Sequence, residues 1–144
     1  MCRGTAGPYR PAMGSHNSVT ELNELFIEAM NAGDLDAALS VWDEHTVFQT
    51  GPGTPPARGM DQLRAALAEF LALKPHLTIE ELHRVEADDI VLVALRWNLT
   101  GTGPDGQPVE MSAVDSNVFR RRPDGTWRIV IDNPFHSVHI GLES

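Results

Sequence analysis

Phe26-Ile-Glu-Ala-Met-Asn-Ala-Gly-Asp-Leu-Asp-Ala-Ala-Leu-Ser-Val-Trp42 is the most informative stretch of this chain, because it contains a corner between two helices. Gly33 can adopt the left-handed conformation that ends a helix without steric cost. Asp34 follows at once, and its carboxylate can accept hydrogen bonds from the unpaired N–H groups of the next helix. The stretch therefore predicts an amphipathic helix that ends at Gly33 and a second helix that begins after Asp34.

Apolar spacing on either side of this corner predicts three helices followed by long strands. Ser18-Val-Thr-Glu21 fits a capping box, after which apolar residues recur at helical spacing. Lys74-Pro75 ends the third helix. The predicted helices cover about 18–32, 35–43 and 60–73, and the predicted strands cover 47–50, 76–86, 90–100, 109–121 and 126–136. Helices first and strands afterwards predict an α+β fold with the helices on one face of a sheet.

Two of the predicted strands carry more specific signals. Residues 90–100 form the most apolar run of the chain, so we expect this strand to be central. Glu80-Glu81 interrupts the alternation of the strand before it and predicts a bulge there.

The composition is that of one globular domain. The chain has 144 residues, of which 42% are hydrophobic, and a formal net charge of −9 with a pI near 5.0. This acidic balance disfavours binding to nucleic acid or to an anionic membrane. No apolar run approaches the roughly 20 residues that span a bilayer, and no secretory signal is found, so we expect a cytoplasmic protein.

Residues 1–17 differ from the rest of the chain, since they carry several Gly and Pro residues and no apolar period. They predict a flexible N-terminal tail before a domain that covers 18–144. Met13 is an alternative start to Met1. Cys2 is the only cysteine and lies in this tail, which excludes an intrachain disulfide and a cysteine-based zinc site.

Three motifs carry a resemblance to a known family. They are the helix corner Asn31-Ala-Gly-Asp-Leu-Asp36, Arg58-Gly59 before the third helix, and Trp127-Arg-Ile-Val-Ile-Asp-Asn-Pro134 in the last strand. Together they resemble the nuclear transport factor 2-like superfamily, in its SnoaL-like and ketosteroid isomerase-like branch, over about residues 18–138. The resemblance implies a cone-shaped fold in which N-terminal helices pack on a curved, mostly antiparallel sheet and close a pocket. It specifies no single function, because this fold carries enzymes, binding proteins and assembly domains.

The resemblance transfers only part of the ketosteroid isomerase machinery. In that enzyme a tyrosine on helix one and a protonated aspartic acid on a late strand hold an oxyanion, and an aspartate after the first strand moves the proton. Here Phe26 stands at the tyrosine position and cannot donate a hydrogen bond. Thr50, or Gln49 after a one-residue slip, stands at the position of the base. The late-strand acid falls on Asp115, so steroid isomerisation by that mechanism is not expected.

Asp115 and Asp132 lie on successive predicted strands, and the turn between them decides whether they meet. A two-residue turn at Pro123-Asp124 would place the two carboxyls directly opposite each other, as an acid and a base in one pocket. A three-residue loop with a bulge would turn Asp132 to the opposite face, as a surface or interface carboxylate. The inward-facing residues of that strand would then be Trp127, Ile129 and Ile131. Apolar alternation favours the bulged form, and the resemblance favours an inward Asp132.

The candidate site consists of the two acids and three polar neighbours. Asp132 is the candidate acid/base, and Asp115 is its partner or the oxyanion donor. Asn117 and Gln49 would orient the substrate, and His136 would relay a proton beside Asp132. Two structural alternatives stay open: Asp115 as a buried acid satisfied by backbone or by Asn117, and His136 as a solvated side chain beyond the last strand.

The aromatic residues are expected to form chiefly core, and a conical pocket shares its walls with the core. Candidate substrate contacts among them are Phe26, Trp42, Trp97 and Phe119. His136 and His139 could meet only on a helix, which is not predicted there, so we expect no metal. No glycine-rich phosphate loop follows a strand, so nothing favours a nucleotide.

These patterns predict a small-molecule pocket protein that works without a cofactor. The expected chemistry is isomerisation, cyclisation or dehydration of an apolar oxygenated metabolite such as a polyketide. The alternative is a non-catalytic ligand-binding or dimerisation module of the same fold. We also expect a homodimer, because members of the resembled family pair through the outer face of the sheet and residues 90–100 are apolar on both faces.

Overall fold

The helix corner forms where the sequence predicts it. The computed structural model describes residues 14–142, in which the first helix ends at Gly33 with a left-handed φ of 73°. Asp34 caps the second helix, since its carboxylate accepts a hydrogen bond from the N–H of Ala37 at 3.1 Å. At the start of the first helix, the Ser18 hydroxyl accepts a hydrogen bond from the N–H of Glu21 at 3.1 Å. Both helix starts are therefore fixed by local side-chain caps.

The helices cover one face of a seven-stranded sheet. The helices are α1 (Val19–Ala32), α2 (Leu35–Leu39), α3 (Gly59–Leu71) and α4 (His136–His139). The strands are β1 (Trp42–Phe48), β2 (Ala57–Arg58), β3 (His76–Ala87), β4 (Ile90–Thr102), β5 (Pro108–Val114), β6 (Ser116–Arg121) and β7 (Trp127–Asn133). The sheet order is β2-β1-β7-β6-β4-β3, and β5 pairs with β4 beyond the end of β6. Among the strands of residues 14–142, only β1 and β7 pair in parallel. The predicted α+β fold with a curved, mostly antiparallel sheet is confirmed.

Three element boundaries differ from the sequence-based expectation. The second helix ends at Leu39. β1 begins at Trp42, because the carbonyl of Val41 accepts a hydrogen bond from the N–H of Ile129 on β7. The strand predicted over 109–121 divides at Asp115, whose carboxylate replaces a ladder carbonyl by accepting the N–H of Leu95. The single turn of α4 follows β7, where no helix was predicted.

Strand pairing tests two predictions about the sheet. β4 is an interior strand, because it pairs with β3 on one side and with β5 and β6 on the other, but it is second from the edge rather than central. The register of β3 shifts between Glu81 and His83, next to the predicted bulge.

The turn between β6 and β7 is the three-residue loop. The N–H of Arg122 donates to the carbonyl of Thr126 at 2.6 Å, which closes the loop. Gly125 within it has a φ of 88°, a left-handed conformation that glycine adopts without strain. The two-residue turn that would place the acids directly opposite each other is therefore wrong.

The three-residue loop was expected to turn Asp132 to the outer face, but a bulge further along this hairpin turns it inward. Ile129 and Ile131 pair with consecutive residues of β6, so Val130 between them has no partner in the register. The extra residue brings Ile129 and Asp132 to the same inner face, while Ile131 is exposed. Asp132 thus faces inward, opposite Asn117.

The core lies between the helices and the inner face of the sheet. Its fully buried side chains include Phe119 from β6, Leu22 from α1, and Leu63 and Leu67 from α3. Burial of one such side chain contributes about 1.5–3 kcal/mol. No helix within residues 14–142 combines the length and the apolar character needed to cross a membrane.

Most of the predicted tail, residues 1–13, lies outside the described residues. The part that is described contacts the domain at His16. The N–H of Trp127 donates to the carbonyl of His16 at 2.8 Å, and the His16 ring nitrogen Nε2 lies 3.1 Å from the hydroxyl of Ser40. These contacts attach the segment before α1 to the start of β7.

Candidate active site

A cavity of about 660 Å³, measured together with its open mouth, lies between the helices and the inner face of the sheet. Its lining is apolar except for four residues, which are Asn23, Asp115, Asn117 and Asp132. No lysine, arginine or histidine of the described part of the chain lines it. Such a cavity suits a largely apolar, uncharged ligand that is oriented by a few polar contacts.

Asp115 is a buried carboxyl held on both oxygens. Its Oδ1 accepts a hydrogen bond from the N–H of Leu95 at 2.7 Å, and its Oδ2 accepts one from Nδ2 of Asn117 at 3.1 Å. Burial raises the pKa of Asp115 to about 8, with a further contribution from the charge of Asp132, while these hydrogen bonds oppose the rise. Asp115 is therefore mostly protonated at neutral pH and can donate a hydrogen bond into the cavity.

Asp132 is equally buried but has a more open carboxyl. It is 6% exposed, and burial raises its pKa to about 7. The indole N–H of Trp42 lies near enough to lower this pKa, yet its Nε1 makes no hydrogen bond of good geometry with any described residue. The Trp42 indole therefore acts as a nearby dipole rather than as a hydrogen-bond donor. The Asp132 oxygens are thus available to a ligand.

The amide of Asn117 connects the two acids. It stands directly opposite Asp132 in the β6–β7 ladder and two residues after Asp115 on the same face. Its Oδ1 accepts a hydrogen bond from the N–H of Asn133 at 3.2 Å. Asp115 and Asp132 are thus diagonal neighbours, a relation that separates backbone positions by about 7–8 Å. This spacing leaves room for one ligand oxygen or one proton path between the carboxyls.

The two acids titrate in an order that makes them different. Asp132 has the lower pKa, so it ionises first, opposite a neutral Asp115. Its charge then raises the pKa of Asp115. Around neutral pH the cavity therefore holds one carboxylate and one carboxylic acid.

Aromatic side chains form the walls beside the acids. The Phe26 and Trp42 rings meet edge to face at 5.1 Å, and Trp42 meets Phe48 at 6.2 Å. On the other side, the indole Nε1 of Trp97 donates to the carbonyl of Pro134 at 2.6 Å, which fixes the chain at the end of β7. These contacts hold the cavity walls in place around Asp132.

Five of the residues singled out from the sequence line the cavity. They are Asp115, Asp132, Asn117, Phe26 and Trp97. The sequence places them on four separate segments, and the sheet and α1 bring them together.

The other four sequence-derived candidates lie outside the cavity lining. Phe119 is fully buried core, and Trp42 packs behind Phe26. The Gln49 amide donates to the carbonyl of Thr54, at 3.0 Å, in the loop before β2. The Nδ1 atom of His136 lies 3.3 Å from the side-chain amide of Asn133. Asn133 follows Asp132 on β7, so its side chain points to the opposite side of the strand.

Asn23 is the lining residue that sequence analysis missed. It is only 7% exposed and lies on α1 between Leu22 and Phe26. The available signal is a polar residue on the apolar stripe of an amphipathic helix, at three residues before Phe26 and seven before Met30.

Comparison with protein families gives one match, to the SnoaL-like domain over residues 24–130. This match covers most of the chain, includes Asp115 and Asn117, and ends two residues before Asp132. A search of curated proteins finds no significant match.

Solved structures share the fold. A provisionally named dehydratase of the NTF2-like family from Streptomyces avermitilis is 25% identical, with a TM-score of 0.68, and the match covers 80% of this chain and 91% of that one. A ketosteroid isomerase-like protein from Erwinia carotovora is 19% identical, with a TM-score of 0.69 and coverages of 79% and 89%. A provisionally named calcium/calmodulin-dependent protein kinase II association domain from Xanthomonas campestris is 22% identical, with a TM-score of 0.70 and coverages of 92% and 95%.

Proposed function

Because the chain belongs to the SnoaL-like family, we propose that it is a cofactor-free acid–base enzyme that isomerises, cyclises or dehydrates an apolar oxygenated metabolite, such as a polyketide. The observation that carries this proposal is the pair of buried carboxyls, Asp115 and Asp132, in an otherwise apolar cavity. Their raised pKa values supply a proton donor and a proton acceptor near neutral pH, as general acid–base catalysis requires. The dehydratase name of one structural neighbour supports this class of reaction.

Asp132 acts as the base in this proposal, because its oxygens are open to the cavity. Its carboxylate removes a proton from a carbon next to a carbonyl group, and the electron pair of that C–H bond moves onto the carbonyl oxygen. Asp115 stabilises the resulting oxyanion with the hydrogen bond of its own proton. The protonated Asp132 then returns its proton, either to another carbon of the substrate or to a hydroxyl group that leaves as water.

The surroundings of the acids favour this chemistry. Apolar walls exclude water, and a low dielectric strengthens the interaction between Asp115 and a developing oxyanion. Asn117 holds Asp115 in position through its amide. Gln49 and His136 have no part in the proposal, because neither lines the cavity.

The protein is also proposed to act as a homodimer through the outer face of its sheet. Val85, Leu92, Val118 and Ile131 pair with one another across β3, β4, β6 and β7, so they form one apolar row. Three of the four are between 44% and 50% exposed. A continuous apolar row on a sheet is typical of a surface that another chain covers.

A ligand-binding module without catalysis is the second candidate. It is favoured by Phe26, which offers no hydrogen-bond donor at the position of the ketosteroid isomerase tyrosine. Thr50, at the position of that enzyme's base, does not line the cavity.

Exchange of Asp132 for its amide separates the two candidates. Asp132→Asn keeps the shape and removes the proton acceptor, so kcat on any substrate found should fall roughly 10²-fold or more while KM changes little. Asp61→Asn on the exposed face of α3 is the matched control and should keep the wild-type rate. Wild-type turnover by Asp132→Asn would refute the acid–base role and leave the binding module.

A further inference from the structure

Asn23 is a buried amide that the proposed acid–base chemistry does not use. It lies on α1, is 7% exposed, and lines the cavity. Among the residues that the structure describes, its side chain has no hydrogen-bond partner. An amide offers two donors and one acceptor oxygen, and those of Asn23 open onto the cavity rather than being sealed in the core. A polar side chain that opens onto an apolar cavity and has no partner among the described residues indicates a ligand contact.

Hydrogen bonds near both ends fix α1 across β3. Close to the start of the helix, Nη2 of Arg84 donates to the hydroxyl of Thr20 at 3.0 Å. Close to its end, the Asn31 amide accepts a hydrogen bond from the N–H of Leu77 at 2.7 Å and donates to the Leu77 carbonyl at 3.1 Å. The helix therefore follows β3, and each residue between these two ties lies over a defined level of the sheet.

The level of Asn23 is that of the acid pair. On β4, the residues that pair with the two tied positions of β3 are Val93 and Leu99. Asn23 lies about one helical turn after the first tie, which places it over the region of Leu95. The N–H of Leu95 is the group that donates to Asp115. Asn23 therefore stands on the helical wall across the cavity from the acids.

We infer that Asn23 forms a second polar subsite, and that the ligand is a neutral molecule with two oxygens at opposite ends of an apolar carbon frame. One oxygen, a ketone, meets Asp115 and Asp132. The other, a hydroxyl or a second carbonyl, bonds to the amide of Asn23. The frame between them contacts the apolar ring of Phe26, one turn after Asn23 on α1. This substrate class rests on the proposed function.

The same lining disfavours anionic ligands. No basic side chain of the described residues lines the cavity, and Asp132 adds a negative charge as it ionises. A carboxylate or phosphate would lose its hydration without gaining a cation. The two amides and two acids instead match uncharged oxygen groups.

A pair of small ketones tests the subsite. 1-Tetralone and 6-hydroxy-1-tetralone share a bicyclic frame and a ketone and differ by one hydroxyl at the far end. Binding of each is measured by calorimetry to wild type, Asn23→Leu, Asp115→Asn, and the control Asn98→Leu on the exposed side of β4. Wild type and the control should bind the hydroxylated ketone about tenfold more tightly, the worth of one good hydrogen bond. Asn23→Leu should bind both ketones equally.

The results separate this inference from the proposed function. No preference in wild type, or a preference that survives in Asn23→Leu, overturns the subsite and leaves the acid pair intact. Unchanged affinities in Asp115→Asn, with a hydroxyl preference that still needs Asn23, overturn the acid pair and support the subsite. Failure of wild type to bind either ketone overturns the ligand class.

Thermal unfolding guards against a structural role for Asn23. The subsite predicts that Asn23→Leu melts no lower than wild type, because an amide without a partner is replaced by an apolar side chain of similar size. A fall of several degrees in Tm, together with weaker binding of both ketones, would assign Asn23 to the structure instead.

Discussion

The buried carboxyl of Asp132 should make the protein less stable as pH rises from 5 to 8. Burial raises the pKa of this group from 3.8 to about 7, so the folded state binds the proton more tightly than the unfolded state. The resulting stabilisation is present at acid pH and is lost as pH rises through the folded pKa. For these two pKa values the loss between pH 5 and pH 8 is about 3 kcal/mol. Asp115, with its pKa raised to about 8, contributes a loss of similar size.

Asp132→Asn tests this calculation, because it removes the titration and keeps the side-chain shape. The free energy of unfolding is measured by urea at pH 5, 6, 7 and 8, with circular dichroism as the probe, since fluorescence would report the change beside Trp42. The variant should lose about half as much stability as wild type over this range. Asp61→Asn, an exposed carboxylate, should follow the wild-type curve.

Equal pH dependence in wild type and Asp132→Asn would refute the reasoning. It would mean that Asp132 ionises near its ordinary pKa, and that the cavity is wet enough to solvate a carboxylate.

Two further outcomes follow from the same geometry. Asp132→Asn should lower the pKa of Asp115 below about 8, because the neighbouring charge is lost; carboxyl carbon NMR against pH measures this, and an unchanged Asp115 titration would contradict the coupling. Leu92→Asp should convert a dimer to a monomer in sedimentation at micromolar concentration, whereas Ala65→Asp on the exposed face of α3 should not. A wild type that sediments only as a monomer would reject the dimer itself.

Local signals explain why the helices could be predicted from the sequence. The capping contact of Ser18 with Glu21 spans one turn, and Gly33 with Asp34 ends one helix and starts another within two residues. Each of these contacts depends on neighbours in the chain alone. The end of the second helix was missed because Trp42 joins β1, which pairs with a strand far along the chain.

The hairpin shows the limit of alternation as a guide to the site. Both predicted registers assume that inward and outward residues alternate from the turn to Asp132. The bulge at Val130 breaks that assumption, so Ile129 and Asp132 face inward together although three positions separate them. The structure thus has the three-residue loop of one predicted register and the inward-facing Asp132 of the other. Nothing in the residues around Val130 marks the bulge.

Asn23 on α1 is a polar group of the site that comparison with the ketosteroid isomerase residues does not reveal. Phe26 stands at the position of the ketosteroid isomerase tyrosine and lacks the hydroxyl that donates a hydrogen bond in that enzyme. Asn23 lies three residues earlier, on the same helix face, so the helical wall still presents a hydrogen-bonding group, one turn nearer the start of α1. That turn moves the group by about 5 Å. The substrate oxygen bound by Asn23 would therefore belong to a second substituent of the ligand, separate from the oxygen bound by Asp115.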